Sequence, residues 1–85
     1  MRFLTKESFR GQPTPEVMSL IPAEQTRVRE LAQQGVLEAV YAAANGSAMW
    51  LIWNCESQDA LAEVHKTLPL HDDLVSDITL LADKA

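Results

Sequence analysis

The chain lacks most of the residue patterns on which common chemistries depend. It has a single cysteine, Cys55, among 85 residues, so no internal disulfide can form and a reducing compartment, the cytoplasm, is expected. Cys55 borders an apolar run and reads as a small buried hydrophobe. No glycine-rich loop follows a strand in phosphate-binding form, no Cys/His spacing suits zinc, and no nucleophile elbow is present. Neither metal nor cofactor is therefore expected. Basic residues are in the minority, 7 against 12 acidic, for a net charge of −5. That balance disfavours nucleic acid and anionic membranes as partners, and the aromatic–basic signature of RNA-binding sheets is missing. No apolar run approaches the roughly 18 residues of a membrane span. The opening Met1-Arg2-Phe3-Leu4-Thr5-Lys6 carries charges throughout and does not read as a secretory signal.

What the chain does have is apolar residues, 47% of the total, enough for the core of one small domain over residues 1–85. They concentrate in the stretch Val36 to Cys55, where two apolar arms flank Asn45-Gly46. Asn-Gly favours a two-residue type I′ hairpin turn, and Val, Tyr, Leu, Ile and Trp in the arms favour strand. Alternation places Val36, Glu38, Val40 and Ala42 on one face of the first arm and Leu37, Ala39, Tyr41 and Ala43 on the other. The second arm divides into Ala48, Trp50, Ile52, Asn54 and Met49, Leu51, Trp53, Cys55. Neither arm has a polar face, so both sides of the hairpin call for cover. A chain this small does not readily supply two cores, which points to a homodimer, with a higher oligomer left open.

In chain order, Arg2 to Ser8 reads as a first strand. Thr14 before Pro15 is a helix N-cap followed by proline at the first helical position. Pro22 either kinks a long helix or separates a short turn from a main helix over Ala23–Gln34, which Gly35 stops. Val28, Leu31 and Ala32 mark its inner side, with Glu24 on the solvent side. After the hairpin, Ser57 caps a second helix carrying Ala60, Leu61, Val64 and Leu68 at helical spacing, and Pro69 ends it. Leu74 to Leu81 reads as the last strand. The order βαββαβ is the ferredoxin-like arrangement of the α+β class, and right-handed crossovers place both helices on one face of the sheet.

Leu74, Ile78 and Leu80 make the better helix-facing set of the last strand, which sends Asp77 and Thr79 to the open face. If Thr5, Glu7, Glu38 and Asn54 join them, the open face holds a cup with Trp50, Ile52 and Val40, suited to a small organic ligand. A one-residue slip in any strand would invert its set.

The segments Leu31–Tyr41 (LAQQGVLEAVY), Ala48–Leu70 (AMWLIWNCESQDALAEVHKTLPL) and Ile78–Leu81 (ITLL) resemble the muconolactone delta-isomerase family over about residues 23 to 81. The sharpest pieces are Gln34-Gly35, Glu56-Ser57 and Leu68-Pro69-Leu70. The resemblance implies a ferredoxin-like βαββαβ sandwich that pairs into a dimeric α+β barrel. It also implies a cofactor-free isomerase that shifts a double bond in an unsaturated lactone by removing and returning a proton. The family's Trp-Arg-His group after the helix-ending glycine is replaced here by Leu37, Glu38 and Ala39. Its Phe-Pro-Tyr after Leu-Pro-Leu is replaced by His71, Asp72 and Asp73. Those exchanges argue against a negatively charged lactone and leave a small unsaturated or cyclic organic compound.

Candidate catalytic residues are Glu38, which interrupts an apolar strand face and would have its pKa raised by burial, and His71, which Asp72 or Asp73 could orient. The bland readings are a rim carboxylate and a solvated loop. Glu7, Tyr41, Trp50, Asn54 and Asp77 are candidate substrate-binding residues, each with ordinary packing as its alternative. Trp50 and Trp53 have opposite parity, so one packs under the helices and the other on the opposite face. His65 reads as a surface or partly packed histidine. The alternative for the whole protein is a non-catalytic ligand-binding or structural homodimer.

Overall fold

Alternating Phe3, Thr5 and Glu7 bury one face of strand β1 (Arg2–Phe9), and that face sets the layers of the molecule. The computed structural model describes residues 1–82. After β1 come the one-turn helix α1 (Pro15–Met18), the main helix α2 (Ile21–Gln33), strands β2 (Leu37–Ala42) and β3 (Met49–Asn54), helix α3 (Gln58–His65), a 3₁₀ turn (His71–Asp73) and strand β4 (Leu74–Leu81). The strands form one antiparallel sheet in the order β2-β3-β1-β4.

The expected barrel is not present. β2 and β4 lie at opposite ends of the sheet and share no hydrogen bonds, so the four strands form an open sheet with two edges. Closure needs a strand tilt and stagger that bring the edges together, and this strand order keeps them apart.

Local signals place the helices. The Thr14 hydroxyl accepts from the Val17 N–H, and Pro22 separates α1 from α2 by standing in the first turn of the latter. Gly35, at φ +77°, ends α2 in a Schellman motif: its N–H donates to Ala32 and the Val36 N–H to Leu31. The Ser57 hydroxyl caps α3 by accepting from the Ala60 N–H. Leu31 of α2 and Leu61 of α3 then pack with Phe3, Leu37, Leu51, Trp53, Cys55 and Leu68 in one core. Burial raises the Cys55 thiol pKa, in keeping with a packing role.

Two features of the hairpin depart from simple alternation. The turn is not type I′: only Gly46 has positive φ, at +75°, whereas that turn needs it at both central residues. Instead the Gly46 N–H donates to Ala43, the Ala43 N–H donates to Ala48, and the Asn45 side chain accepts from the Ser47 N–H. In addition, the register slips between Leu37 and Ala39. This bulge gives β2 an extra residue and shifts Val40 and Ala42 onto the parity of Leu37. Cross-strand pairing therefore groups Leu37 and Val40 with Trp53 and Leu51 on the helix side. It groups Ala39 and Tyr41 with Ile52 and Trp50 on the open side.

Candidate functional site

The helix-facing side of the sheet carries polar residues in core positions. Glu7 lies in register with Ser76 of β4, and both face α3, whose Leu61 and His65 are its buried residues. His65 is only 8% exposed and Glu7 only 4%. His65 Nε2 lies 2.9 Å from Glu7 Oε1 and 3.1 Å from Ser76 Oγ. The Ser76 hydroxyl donates to the same Glu7 oxygen. On the far side of the ring, His65 Nδ1 lies 2.9 Å from His71 Nδ1. Beneath them the Trp53 indole N–H donates to Thr5 Oγ1 at 2.9 Å, both side chains being buried.

The 3₁₀ turn sets the position of His71. Its backbone is braced by the His71 N–H to Leu68 and the Asp73 N–H to Leu70. The Arg10 guanidinium holds it from the end of β1 by donating to the carbonyls of Asp72 and Leu74 at 3.3 and 3.1 Å.

Glu7 Oε2 has no hydrogen-bond partner although it is buried. Glu7 also lines a cavity of about 580 Å³ between α2 and the sheet. The other walls are mainly apolar, among them Ile21, Val28, Val40, Leu51 and Leu70. The second carboxylate on this cavity is Glu24 of α2, half-buried, with Oε1 accepting from the Leu70 N–H at 2.9 Å. The two carboxyls are pushed in opposite directions. For Glu7, burial acts to raise the pKa, but hydrogen bonds from His65 and Ser76, the neighbouring Thr5 hydroxyl and the charge of His65 together bring it below the ordinary value. For Glu24, burial dominates and the pKa is raised despite the Leu70 N–H. A smaller cavity of about 320 Å³ lies on the other side of the network, lined by His65, His71, Ser76, Arg10, Lys66 and Asp72 with apolar neighbours.

The residues singled out from sequence do not converge as a group. Glu7 faces the helices rather than the open sheet, and it meets His71 only through His65. Glu38 sits in the β2 bulge and pairs with Arg2 at 3.0 Å in a half-exposed ion pair, lining neither cavity. Tyr41, 64% exposed, stands opposite Trp50 on the open face. There Trp50 also has the Lys6 ammonium 5.9 Å from a ring centroid. Asn54 and Asp77 pair with Arg2 and Lys6 across β1, on that same open face. The open-face cup is thus divided: Thr5, Glu7 and Val40 belong to the helix side. Sequence reasoning missed His65, Ser76 and Glu24. The signal for His65 was its place between Leu61 and Leu68 on one side of the helical pattern, and for Ser76 its place between Leu74 and Ile78. Among the described residues, no group of three or more His, Cys, Asp and Glu side chains is arranged to hold a metal ion.

Among solved structures, a muconolactone isomerase superposes with a TM-score of 0.81 at 19% identity, over 100% of this chain and 94% of that one. A 5-chloro-2-hydroxyhydroquinone dehydrochlorinase from Burkholderia phenoliruptrix, in complex with 2,5-dihydroxybenzoquinone, superposes at 0.76 with 15% identity, over 96% and 94%. An antibiotic biosynthesis monooxygenase reaches 0.58 at 15% identity, over 96% and 99%. At such identities the likeness is one of fold. No curated protein matches the sequence significantly. The muconolactone delta-isomerase family model matches residues 1–84, the whole of the βαββαβ unit with both cavities, and the chain belongs to that family.

Proposed function

We propose that the protein catalyses cofactor-free proton transfer on a small unsaturated or cyclic organic compound bound in the larger cavity, with Glu7 as the base. The observation that carries this reading is the Glu7 carboxylate itself. One oxygen is held by His65 and Ser76, and the other is buried, unpartnered and part of a group that lines an apolar cavity. A lowered pKa keeps that carboxylate ionised at neutral pH. Its Oε2 takes a proton from carbon next to a carbonyl, the electron pair moves into an enolate, and the proton returns to another carbon so that the double bond shifts. Glu24 holds its proton more tightly than Glu7 and is the better donor to the enolate oxygen. Two titratable groups on one cavity with pKa values driven apart are the pattern expected of an acid and base pair. The apolar walls favour a substrate with little charge.

The test is a panel of unsaturated lactones and cyclic enones incubated in D₂O and followed by NMR. Deuterium uptake or a shifted double bond is expected with the wild-type protein, falling about 10²–10⁴-fold in Glu7→Gln. Turnover unaffected by Glu7→Gln overturns the assignment, and a ligand that fills the cavity without any exchange favours a binding protein instead. A homodimer belongs to the same proposal. It is supported by Trp50, Ile52 and Leu4, half-buried on the open face, beside the exposed Tyr41 and Val75. A light-scattering mass equal to one chain would refute it.

A further inference from the structure

We propose that His65 and His71 form a proton relay that joins the buried Glu7 carboxylate to the second cavity. The inference builds on Glu7 as the base, and it rests on the contact between the two imidazoles. Their Nδ1 atoms are 2.9 Å apart. Two ring nitrogens at hydrogen-bond distance must share one proton: with none, two lone pairs face each other, and with two, the hydrogens collide. His65 Nε2, facing Glu7 Oε1 and Ser76 Oγ, is the donor to the carboxylate. The line Glu7–His65–His71 is therefore continuous in hydrogen bonds from the apolar cavity to a half-buried imidazole on the other side of the sheet's helical layer.

The transfers balance. A proton arriving at His71 Nε2 makes that ring an imidazolium. His71 passes its Nδ1 proton to His65 Nδ1, and His65 passes its Nε2 proton to Glu7. The result is a neutral carboxyl and two neutral imidazoles, each with its proton on the other nitrogen. Run in reverse from that state, in which His65 Nε2 is free to accept, a proton on Glu7 Oε1 passes to His65 Nε2, the His65 Nδ1 proton passes to His71 Nδ1, and the His71 Nε2 proton leaves to the second cavity. Ser76 steadies the inner end by donating to Glu7. Arg10 fixes the outer end through the carbonyls of the turn, with Lys66 and Asp72 as the other charged groups on the second cavity. While a ligand fills the larger cavity, this line gives the Glu7 proton a route to water that does not pass the ligand.

Histidine-selective ¹⁵N labelling of the full chain tests the relay without a substrate. The expected result is an ¹⁵N–¹⁵N coupling across the hydrogen bond between the two Nδ1 atoms, together with an exchange rate of the His65 Nε2 proton that depends on His71. In His71→Asn the amide N–H can still donate to His65 but cannot pass a proton on. Exchange should then slow by about tenfold or more. A merely structural role for His71 predicts unchanged exchange, or faster exchange as packing loosens. Absence of the coupling, or exchange in His71→Asn at or above the wild-type rate, overturns the relay. Failure of Glu7 as base is read separately, from turnover of Glu7→Gln.

Discussion

Replacing His65 by leucine tests the energetics of the site most directly. The pair it breaks is buried on both sides, with side-chain exposures of 10% for His65 and 4% for Glu7. His→Leu roughly keeps the volume and leaves an apolar side chain beside Trp53, so little of the effect comes from packing. What remains is a carboxylate under the helices with only the Ser76 and Thr5 hydroxyls for support. Removing one partner of a buried pair costs about 3–5 kcal/mol, because the other charge is stranded. For a small domain stable by roughly 5–15 kcal/mol, that is a large fraction, and urea denaturation at pH 7 should show it as a much lower midpoint with an unchanged slope. Two controls separate a stranded charge from a general packing defect. First, with His65 gone, burial should raise the Glu7 pKa. A carboxyl whose folded pKa lies above its unfolded one destabilises at neutral pH and ceases to do so as pH falls to the unfolded value. The deficit of His65→Leu should therefore shrink as the pH is lowered towards the ordinary Glu value of 4.5. Second, adding Glu7→Leu removes the stranded charge, and the double variant should recover most of the loss. A His65→Leu protein within about 1 kcal/mol of wild type, or a double variant no more stable than the single one, would refute the argument that His65 is what makes a buried Glu7 tolerable.

Thr5→Val, nearly isosteric, leaves the Trp53 indole N–H without its buried acceptor and should cost about 1–3 kcal/mol in thermal or chemical unfolding. Gly35→Ala adds a Cβ at φ +77° with open space around it, so only backbone strain opposes it, and a loss of about 1 kcal/mol is expected by the same assays. The lowered Glu7 pKa means that this group contributes stability above pH 4.5 that is lost as pH falls through its lower folded value. Glu7→Gln should flatten that part of the acid-denaturation profile. Glu38→Gln disrupts only the half-exposed pair with Arg2 and should change stability by less than about 1 kcal/mol and ligand binding in the larger cavity not at all, as calorimetry can show.

Much of the framework was legible because single residues decide it locally. Thr14-Pro15, Gly35 and Ser57 punctuate the chain by capping or by loss of an N–H, each within one turn of its own position, whereas α3 stops at His65 and tighter turn bonds at Thr67 and Leu68 replace the helix expected to run on to Pro69. β4 was readable to its ends, since Leu74, Ile78 and Leu80 share one parity that only Ser76 interrupts. The hairpin was less readable. Asn45-Gly46 marked the reversal but not its type, because neighbouring hydrogen bonds at Ala43, Ala48 and Ser47 hold a wider loop. The bulge after Leu37 left no trace in composition. It nevertheless decides which residues of β2 meet the cavity, bringing Val40 in and leaving Glu38 at the Arg2 ion pair on the sheet's edge.

Glu7 was singled out, though for the opposite face of the sheet, and the rest of the site escaped for a different reason. Each of its members is a polar residue in an apolar register, on a separate element: Glu7 after Phe3 and Thr5, Glu24 between Ile21 and Val28, His65 between Leu61 and Leu68, and Ser76 between Leu74 and Ile78. Taken singly, each reads as an interruption that belongs at the surface, and Glu24 and His65 invite that reading on their helices. Yet burying any one of them alone is unfavourable unless a partner is present. Three of the four sit under the same helical layer in hydrogen-bond contact, and the fourth closes the adjacent cavity. An apolar core would hold this fold together with less constraint on these elements. Keeping an ionised carboxylate there requires His65, Ser76 and Thr5 around it, and even so one buried oxygen is left unsatisfied. That arrangement is weak as a stabilising device and well suited to a base that must meet its substrate away from water.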